Sequence, residues 1–173
     1  GEMAMIKAAD RPGIRVRVLP MLFAASEGAD GLENGLKRLL KEADRALDEG
    51  ATILVLSDRG VSPEAAPIPA LLATSALHHH LIRTGRRTAA GLAVETGEAR
   101  ETHHVAALLG FGANAVNPWL MLDVVADAAA GGKLEPADME PEEAVRRAVK
   151  GLTKGLMKIL SKMGISTVQS YIG

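Results

Sequence analysis

The polar residues Ser57, Asp58 and Arg59 directly follow an apolar run of strand length at residues 53–56. Arginine presents two parallel N–H donors to a carboxylate or phosphate, so this stretch could bind an anionic substrate. The alternative is structural, with Asp58 and Arg59 forming an ion pair that locks a loop. We favour the structural interpretation, because ion pairs also occur at sites that bind nothing.

A second candidate is Glu95, which ends another apolar run and precedes Glu98 and Glu101. Two carboxylates could share acid–base catalysis. Thr96 is also well placed to cap a helix, and acidic residues favour the first turn because of the helix dipole. The sequence therefore favours a capped helix start over an acid–base pair.

The histidines fall into two groups of sequence neighbours, at 78–80 and 103–104, each on a predicted helix. Successive helical residues point about 100° apart, so neighbours cannot converge on one metal ion. The zinc-helix pattern HExxH is also absent. One histidine of each group could meet across helices, but we expect buried or interface histidines and no metal site.

Two further patterns favour structural interpretations. The glycine-rich residues 110–115 precede a predicted strand, whereas a dinucleotide fingerprint lies between a strand and a helix. They therefore predict a helix cap and a tight turn. Lysines recur every four residues at 150, 154, 158 and 162, which could meet an acidic partner but more commonly marks a solvated helix face.

Composition excludes several classes of protein. The 173 residues include no cysteine, which excludes thiolate metal sites, iron–sulfur ligation and cysteine nucleophiles. The net charge of −1 and the 2% aromatic content argue against nucleic acid as a partner. No apolar run reaches the roughly 18–20 residues that span a membrane. We expect a cytoplasmic domain.

Apolar runs of strand length alternate with helical patterns about five times, and glycine stands at most helix ends. This alternation predicts an α/β fold of about five βα units with a mostly parallel sheet, as in part of a (β/α)₈ barrel. Residues 1–14 predict a loosely held segment, and 15–173 form the domain. The predicted strands are 15–19, 53–56, 91–94, 113–116 and 165–169, and the predicted helices are 30–49, 67–83, 99–109, 118–130 and 141–163.

Binding sites in parallel α/β folds gather at the carboxyl ends of the strands. These ends are residues 57–60, 95–98, 117–118 and 169–171. A ligand pocket would therefore be formed by Asp58, Arg59, Glu95 and Gln169.

Several long strings stand out along the chain: ILVLSDRG at 53–60, APIPALLA at 66–73, HHHLIR at 78–83, VETGEARE at 94–101 with HH at 103–104, GFGA at 110–113 with NP at 117–118, and KILSKMGISTVQSY at 158–171. They occur in the same order in glutamate synthase large subunits, and residues 15–173 resemble the central domain of that family.

The resemblance implies a place between two catalytic domains. In this family a glutaminase domain releases ammonia from glutamine, and a barrel with FMN and an iron–sulfur cluster combines it with 2-oxoglutarate. The central domain is similar to a rudimentary form of that barrel, helps form the route for ammonia and carries no recognised catalytic residue. The resemblance thus implies no cofactor in this chain, with the glutaminase and FMN domains as its partners.

Three functions remain open from sequence alone. The first is a structural, interdomain module, and the second is a ligand-binding or flavin-phosphate-binding half-barrel. The third is an independent enzyme that uses Glu95 or a histidine as a base. Since five strands cannot close a barrel, we also expect the open edges to favour a homo-oligomer.

Overall fold

The computed structural model describes residues 2–9 and 11–173. Its main sheet has four parallel strands in the order β1, β3, β5, β6, and two shorter strands, β2 and β4, pair antiparallel beside it. The strands are β1 (Val16–Pro20), β2 (Leu22–Ala24), β3 (Ile53–Ser57), β4 (Ala65–Pro67), β5 (Gly91–Glu95) and β6 (Ala115–Asn117). The helices are α1 (Glu2–Lys7), α2 (Gly28–Asp48), α3 (Ala70–Arg83), α4 (Thr102–Gly110), α5 (Trp119–Ala130) and α6 (Pro141–Lys162).

The two faces of the sheet bury different side chains, because successive strand residues point to opposite sides. One set of alternate residues joins the main core with residues of α2, α3 and α4. This set is Leu19, Leu54, Leu56, Leu92 and Val94. The two central strands, β3 and β5, are buried along nearly their whole length, as expected for strands of a parallel sheet that are covered on both faces.

The other face of the sheet is covered by the short helix α1. Met3 packs against Val55 and Ala93, with Ala115 at the edge of the same cluster. Small residues on the last two strands leave room for a helix to approach the sheet closely. In a complete barrel this inner face would be filled by layers of strand side chains. Here the N-terminal helix takes that place.

The fold class is confirmed, since the chain has alternating strands and helices and a parallel sheet that forms part of a barrel. The predicted fifth strand at 165–169 is wrong. Gly164 adopts a φ of 70°, Ile165 N–H donates to the Leu160 carbonyl, and a 3₁₀ turn (Val168–Ser170) follows. The chain then continues onto the end of α4, where Gly173 N–H donates to the Gly110 carbonyl, and it never reaches the sheet.

Some boundaries also differ from the prediction. Helix α3 starts at Ala70 rather than at residue 67, because residues 65–67 pair with β2. Helix α4 starts at Thr102 rather than at residue 99. The segment 1–14 was predicted to be loosely held, and within it α1 packs on the sheet. Gly1 and Asp10 lie outside the described residues.

The remaining predicted features lie at helix ends and on surfaces. Gly112 follows α4 with a φ of 110°, which confirms the tight turn. The four lysines of α6 are all exposed, and the choice between a solvated face and an acidic partner stays a prediction. Across the described residues, no helix is both long and apolar enough to span a bilayer.

Candidate functional site

The carboxyl ends of β3, β5 and β6 bring polar side chains together at one end of the sheet. Ser57, Glu95 and Asn117 form one row, because Ser57 is in register with Glu95 and Glu95 with Asn117. Asp58 and Arg59 follow Ser57 in the loop after β3. Three of the four strand ends that the sequence predicted therefore meet here.

Glu95 is the centre of this row and is only 2% exposed. Its Oε2 accepts hydrogen bonds from Lys7 Nζ at 2.5 Å and from Ser57 Oγ at 2.6 Å. Its Oε1 accepts from Arg59 Nε at 3.0 Å and from Asn117 Nδ2 at 3.5 Å. Each carboxylate oxygen thus has two donors, and the residue links α1, β3, β5 and β6.

The protonation of Glu95 is set by two opposing influences. Burial is the largest single influence and raises the pKa of its carboxyl. Hydrogen bonds from Lys7, Ser57 and Arg59, together with the charge of Lys7, outweigh burial and hold the pKa below its ordinary value of 4.5. Glu95 is therefore ionised at neutral pH, with Lys7 and Arg59 as its two cationic partners.

Asp58 is a second buried carboxylate, 4% exposed, and its side-chain hydrogen-bond partners among the described residues are all neutral. Thr96 Oγ1 donates to its Oδ2 at 2.7 Å, and Gly97 N–H donates to the same oxygen at 2.9 Å. The indole Nε1–H of Trp119, the first residue of α5, donates to Oδ1 at 2.6 Å. Asp58 thereby joins the loops after β3 and β5 to the start of α5.

Arg59 lies over the indole ring that Asp58 holds in place. Its guanidinium carbon is 4.5 Å from the ring centroid of Trp119, within the range of a cation–π contact. The side chain remains 47% exposed, unlike the two carboxylates. Among the described residues, its Nη1 and Nη2 have no hydrogen-bond partner, because only Nε is used by Glu95.

The pairing of these residues differs from the prediction. Asp58 and Arg59 were expected to form an ion pair with each other, but Arg59 pairs with Glu95 and Asp58 accepts from neutral donors. The loop is locked as the structural interpretation proposed, but by two separate carboxylates. Sequence neighbours diverge here because Arg59 Nε reaches the buried row of strand ends, where Glu95 Oε1 lies 3.0 Å away.

The predicted helix cap at Thr96 is also wrong. Helix α4 starts six residues later, and its cap residue Glu101 makes no side-chain cap bond. Thr96 instead donates to Asp58 and accepts from Glu98 N–H at 3.1 Å. Glu98 itself accepts from the Ala70 N–H at 2.7 Å, so its charge lies at the N-terminus of α3, where the helix dipole favours it.

Gln169 does not join the other three candidates. It is an exposed residue of the 3₁₀ turn (Val168–Ser170), not the end of a strand. Tyr171, two residues later, packs against Gly110 at the C-terminal end of α4. A ligand-binding role for Asp58, Arg59, Glu95 and Gln169 stays a prediction.

Two participants were missed at the level of sequence. Lys7 lies in the segment that was expected to be loosely held, and nothing in its surroundings predicts a partner 88 residues away. Trp119 could have been found, because it follows Asn117 and Pro118 at a predicted strand end and is the only tryptophan.

A second network lies at the opposite, amino-terminal end of β5 and β6. Arg87 Nε donates to His78 Nδ1 at 2.8 Å, Nη1 donates to the Ala90 carbonyl at 3.2 Å, and Nη2 donates to the Gly112 carbonyl at 2.8 Å. Nη2 also donates to Asn114 Oδ1 at 3.2 Å. Burial, followed by the charges of Arg87 and His79, lowers the pKa of His78 below its ordinary value of 6.5. His78 is therefore neutral and accepts through Nδ1.

The expectation of buried or interface histidines holds for two of the five. His78 is 5% exposed, and His80 Nε2 lies 2.8 Å from Asp44 Oδ2 across the α2–α3 contact. The other three are exposed: His79, His103 and His104. The described part of the chain contains no group of three or more His, Cys, Asp or Glu residues placed to hold a metal ion.

The chemistry that the strand-end cluster can perform follows from its hydrogen bonds. A general base needs a free lone pair near its substrate. Both buried carboxylates instead accept from several donors of the protein, and the pKa of Glu95 is lowered rather than raised toward neutrality. Among the described residues, the cations Arg59 and Lys7 are the members of the cluster that keep unused hydrogen-bond donors.

Comparison with known proteins agrees with this architecture. The family model described as glutamate synthase central domain matches residues 1–173. The large chain of NADPH glutamate synthase from Bacillus subtilis is 45% identical over 168 residues, which cover 97% of this chain and 10% of that one. The NADH glutamate synthase of Schizosaccharomyces pombe is 38% identical over 174 residues, covering 99% of this chain and 8% of that one. A chloroplastic ferredoxin-dependent glutamate synthase of Arabidopsis thaliana is 38% identical over 174 residues, covering 94% of this chain and 11% of that one.

Solved structures show the same partial barrel. The recombinant flavin-binding domain of flavocytochrome b2 from baker's yeast matches with a TM-score of 0.59 at 16% identity, over 77% of this chain and 31% of that chain. A double mutant of flavocytochrome b2 with pyruvate bound matches with a TM-score of 0.57. This chain spans about a tenth of the length of the glutamate synthases that it matches. By the match of the family model over its whole length, the chain belongs to the glutamate synthase central domain family.

Proposed function

We propose that this chain is the structural domain by which a glutamate synthase large chain holds its glutaminase and FMN-binding domains in place and helps form the passage for ammonia. It has no chemistry of its own. The proposal rests on one observation: the buried carboxylates at the strand ends, where a barrel enzyme would act, are both engaged by donors of the protein. Through these hydrogen bonds the two carboxylates connect α1, three strands and α5.

The test compares two sources of ammonia in a complete large chain that includes this domain. Glutamate formation from 2-oxoglutarate is measured with glutamine and, separately, with added ammonia, in the unaltered enzyme and in Glu95→Gln. We expect the variant to lose glutamine-dependent synthesis more than ammonia-dependent synthesis, because only the first needs the passage. The 173-residue chain alone should form no glutamate; turnover by this chain that disappears in Glu95→Gln overturns the proposal.

A second function is favoured by a different observation. The domain shares its partial barrel with a flavin-binding domain, and Arg59 has two guanidinium nitrogens at the carboxyl ends of the strands that no described residue uses. Arg59 and Lys7 are the residues that would hold a flavin phosphate in a ligand-binding half-barrel. A saturable rise in melting temperature of the 173-residue chain with FMN or inorganic phosphate supports this function. If neither ligand raises the melting temperature, this second function is rejected and only the structural role remains.

Self-association and a cytoplasmic location stay predictions. Strands β1 and β6 each have a strand partner on one side only in the described sheet. Such edges can pair with a second copy. Light scattering of the chain over a range of concentrations checks this, and a constant monomer mass rejects it.

A further inference from the structure

A groove of about 850 Å³ opens beside the strand-end cluster, between α1, β6, α5 and α6. Small-molecule sites commonly have volumes of about 300–1,000 Å³, with mostly apolar walls and a few polar groups. The apolar walls here include Met3, Val116, Leu122, Val149, Leu152 and Leu156. The groove thus has the size and lining of a ligand site.

The charged residues of the groove fall into two groups. Lys7 and Arg59 both bond to Glu95. The other lining charges are Asp123 on α5 and Glu142 and Arg146 on α6. Two cations therefore share one carboxylate, Glu95, at the strand ends. The nearby Asp58 brings the charge of the cluster to zero, but it accepts from Thr96, Gly97 and Trp119 and uses no donor of either cation.

Arg59 is held by two contacts, and within residues 2–9 and 11–173 two of its nitrogens stay available as donors. Nε is fixed by Glu95 at 3.0 Å, and the guanidinium plane is fixed by the ring of Trp119. The edge formed by the two Nη groups is the one that binds carboxylates and phosphates through two parallel hydrogen bonds. Lys7 Nζ has two further N–H donors beyond the one given to Glu95. An arginine fixed by two contacts loses little further freedom when it binds an anion.

From these contacts we propose that the Nη edge of Arg59, together with Lys7, binds the oxyanion of a small organic molecule whose apolar part lies along α5 and α6. The oxyanion is a carboxylate or a phosphate, which share this recognition chemistry. The inference rests on the second function proposed above and names its ligand class. It does not depend on the interdomain role, which is tested separately by the two sources of ammonia.

Trp119 provides a direct measurement, since it is the only tryptophan and it contacts Arg59. The intrinsic fluorescence of the 173-residue chain is titrated with sodium acetate, sodium hexanoate and sodium phosphate, each at an ionic strength matched with sodium chloride. We expect a saturable change in Trp119 emission that chloride does not produce. Tighter binding of hexanoate than of acetate assigns the carboxylate source and the apolar wall, and tighter binding of phosphate assigns the phosphoryl source.

The matched variants are Arg59→Lys and Arg45→Lys. Arg59→Lys keeps the charge and can still pair with Glu95, but it loses the two-pronged edge, so binding should weaken by about tenfold. Arg45 is 81% exposed on α2 and pairs there with Glu49, so Arg45→Lys should bind as the unaltered chain does. A response that is linear and equal for all salts in the unaltered chain overturns the inference, and so does an unchanged affinity in a folded Arg59→Lys.

Discussion

Two arginines lie at opposite ends of the same sheet and are used differently. At the amino end, Arg87 gives all three nitrogens of its guanidinium group to neutral acceptors of the protein. At the carboxyl end, Arg59 gives one nitrogen to Glu95 and keeps the others available among the described residues. In barrel folds the carboxyl end carries sites and the amino end carries stability. Arg87, with all its nitrogens bonded within the protein, fits the stabilising end, and Arg59, with donors available among the described residues, fits the end that carries sites.

The largest effect should come from closing the space beside His78. Gly112 has a φ of 110°, and a Cβ built there would lie 2.3 Å from His78 Nδ1. Gly112→Ala should destabilise the chain by about 4 kcal/mol, through backbone strain and overpacking together. Urea unfolding measures this loss.

The control for this change is Gly85→Ala. Gly85 also has a positive φ, 71°, but no atom of the described residues lies within 4 Å of its added Cβ. It should lose only the strain, about 1–2 kcal/mol. Equal losses in the two variants would show that the amino-end network is not tightly packed.

Removing the charge at the carboxyl end comes next in size. Glu95→Gln leaves Lys7 and Arg59 facing a neutral amide at a site that is 2% exposed. Breaking a buried pair costs about 3–5 kcal/mol, and we expect the lower end, about 3, because Arg59 reaches solvent. Glu101→Gln is the control, since the Glu101 side chain is 64% exposed and its change should stay within about 0.5 kcal/mol. A small loss in Glu95→Gln would mean that the cluster does not hold α1 to the sheet.

The comparison between the arginines is tested directly by the same substitution at both. Arg87→Lys loses the fork that reaches His78 and two backbone carbonyls, at a cost of about 2 kcal/mol. Arg59→Lys replaces a half-exposed ion pair with another and should cost less than about 1 kcal/mol. Thermal unfolding of the two variants measures both losses of stability. A larger loss in Arg59→Lys than in Arg87→Lys would reverse the roles assigned to the two ends of the sheet.

The smallest effects should separate the two networks by pH. A group whose pKa is lower in the folded than in the unfolded state stabilises fully above the unfolded value and loses that contribution as the pH falls. His78 should therefore begin to cost stability below pH 6.5, and Glu95 below pH 4.5. Unfolding free energies between about pH 8 and about pH 3 check this. In Glu95→Gln the decline near pH 6.5 should remain, and the decline below 4.5 should be smaller than in the unaltered chain.

The sequence predicted the parts of the molecule that depend on local pattern. The apolar run at 53–56, the helical stripe before Gly50 and the glycine turn at 112 are local signals, and the structure follows them. The predicted strand at 165–169 fails because membership of a sheet depends on which edge the chain reaches, not on composition alone. The very short strands β2 and β4 carry too few residues to show a period.

The site was predicted in position but not in its contacts. Parallel strands align their carboxyl ends, so the meeting of the loops at 57–60 and 95–98 could be inferred from the alternation of elements. The partner of Arg59 could not be inferred in this way, because Glu95 lies 36 residues away along the chain and Asp58 is the adjacent carboxylate. The role of Lys7 could not be predicted either. Helix α1 has only six residues, and its position depends on packing with the sheet rather than on its own sequence.

The contact between Met3 and Ala93 links the first helix of the chain to the sheet interior, and it has a consequence for how such sequences can diverge. A larger side chain at position 93 would push α1 away from the strands and draw Lys7 from Glu95. Divergence at 93 therefore has to be matched by a smaller residue at position 3. Among folded descendants of this chain, the side-chain volumes at these two positions should vary in opposite directions.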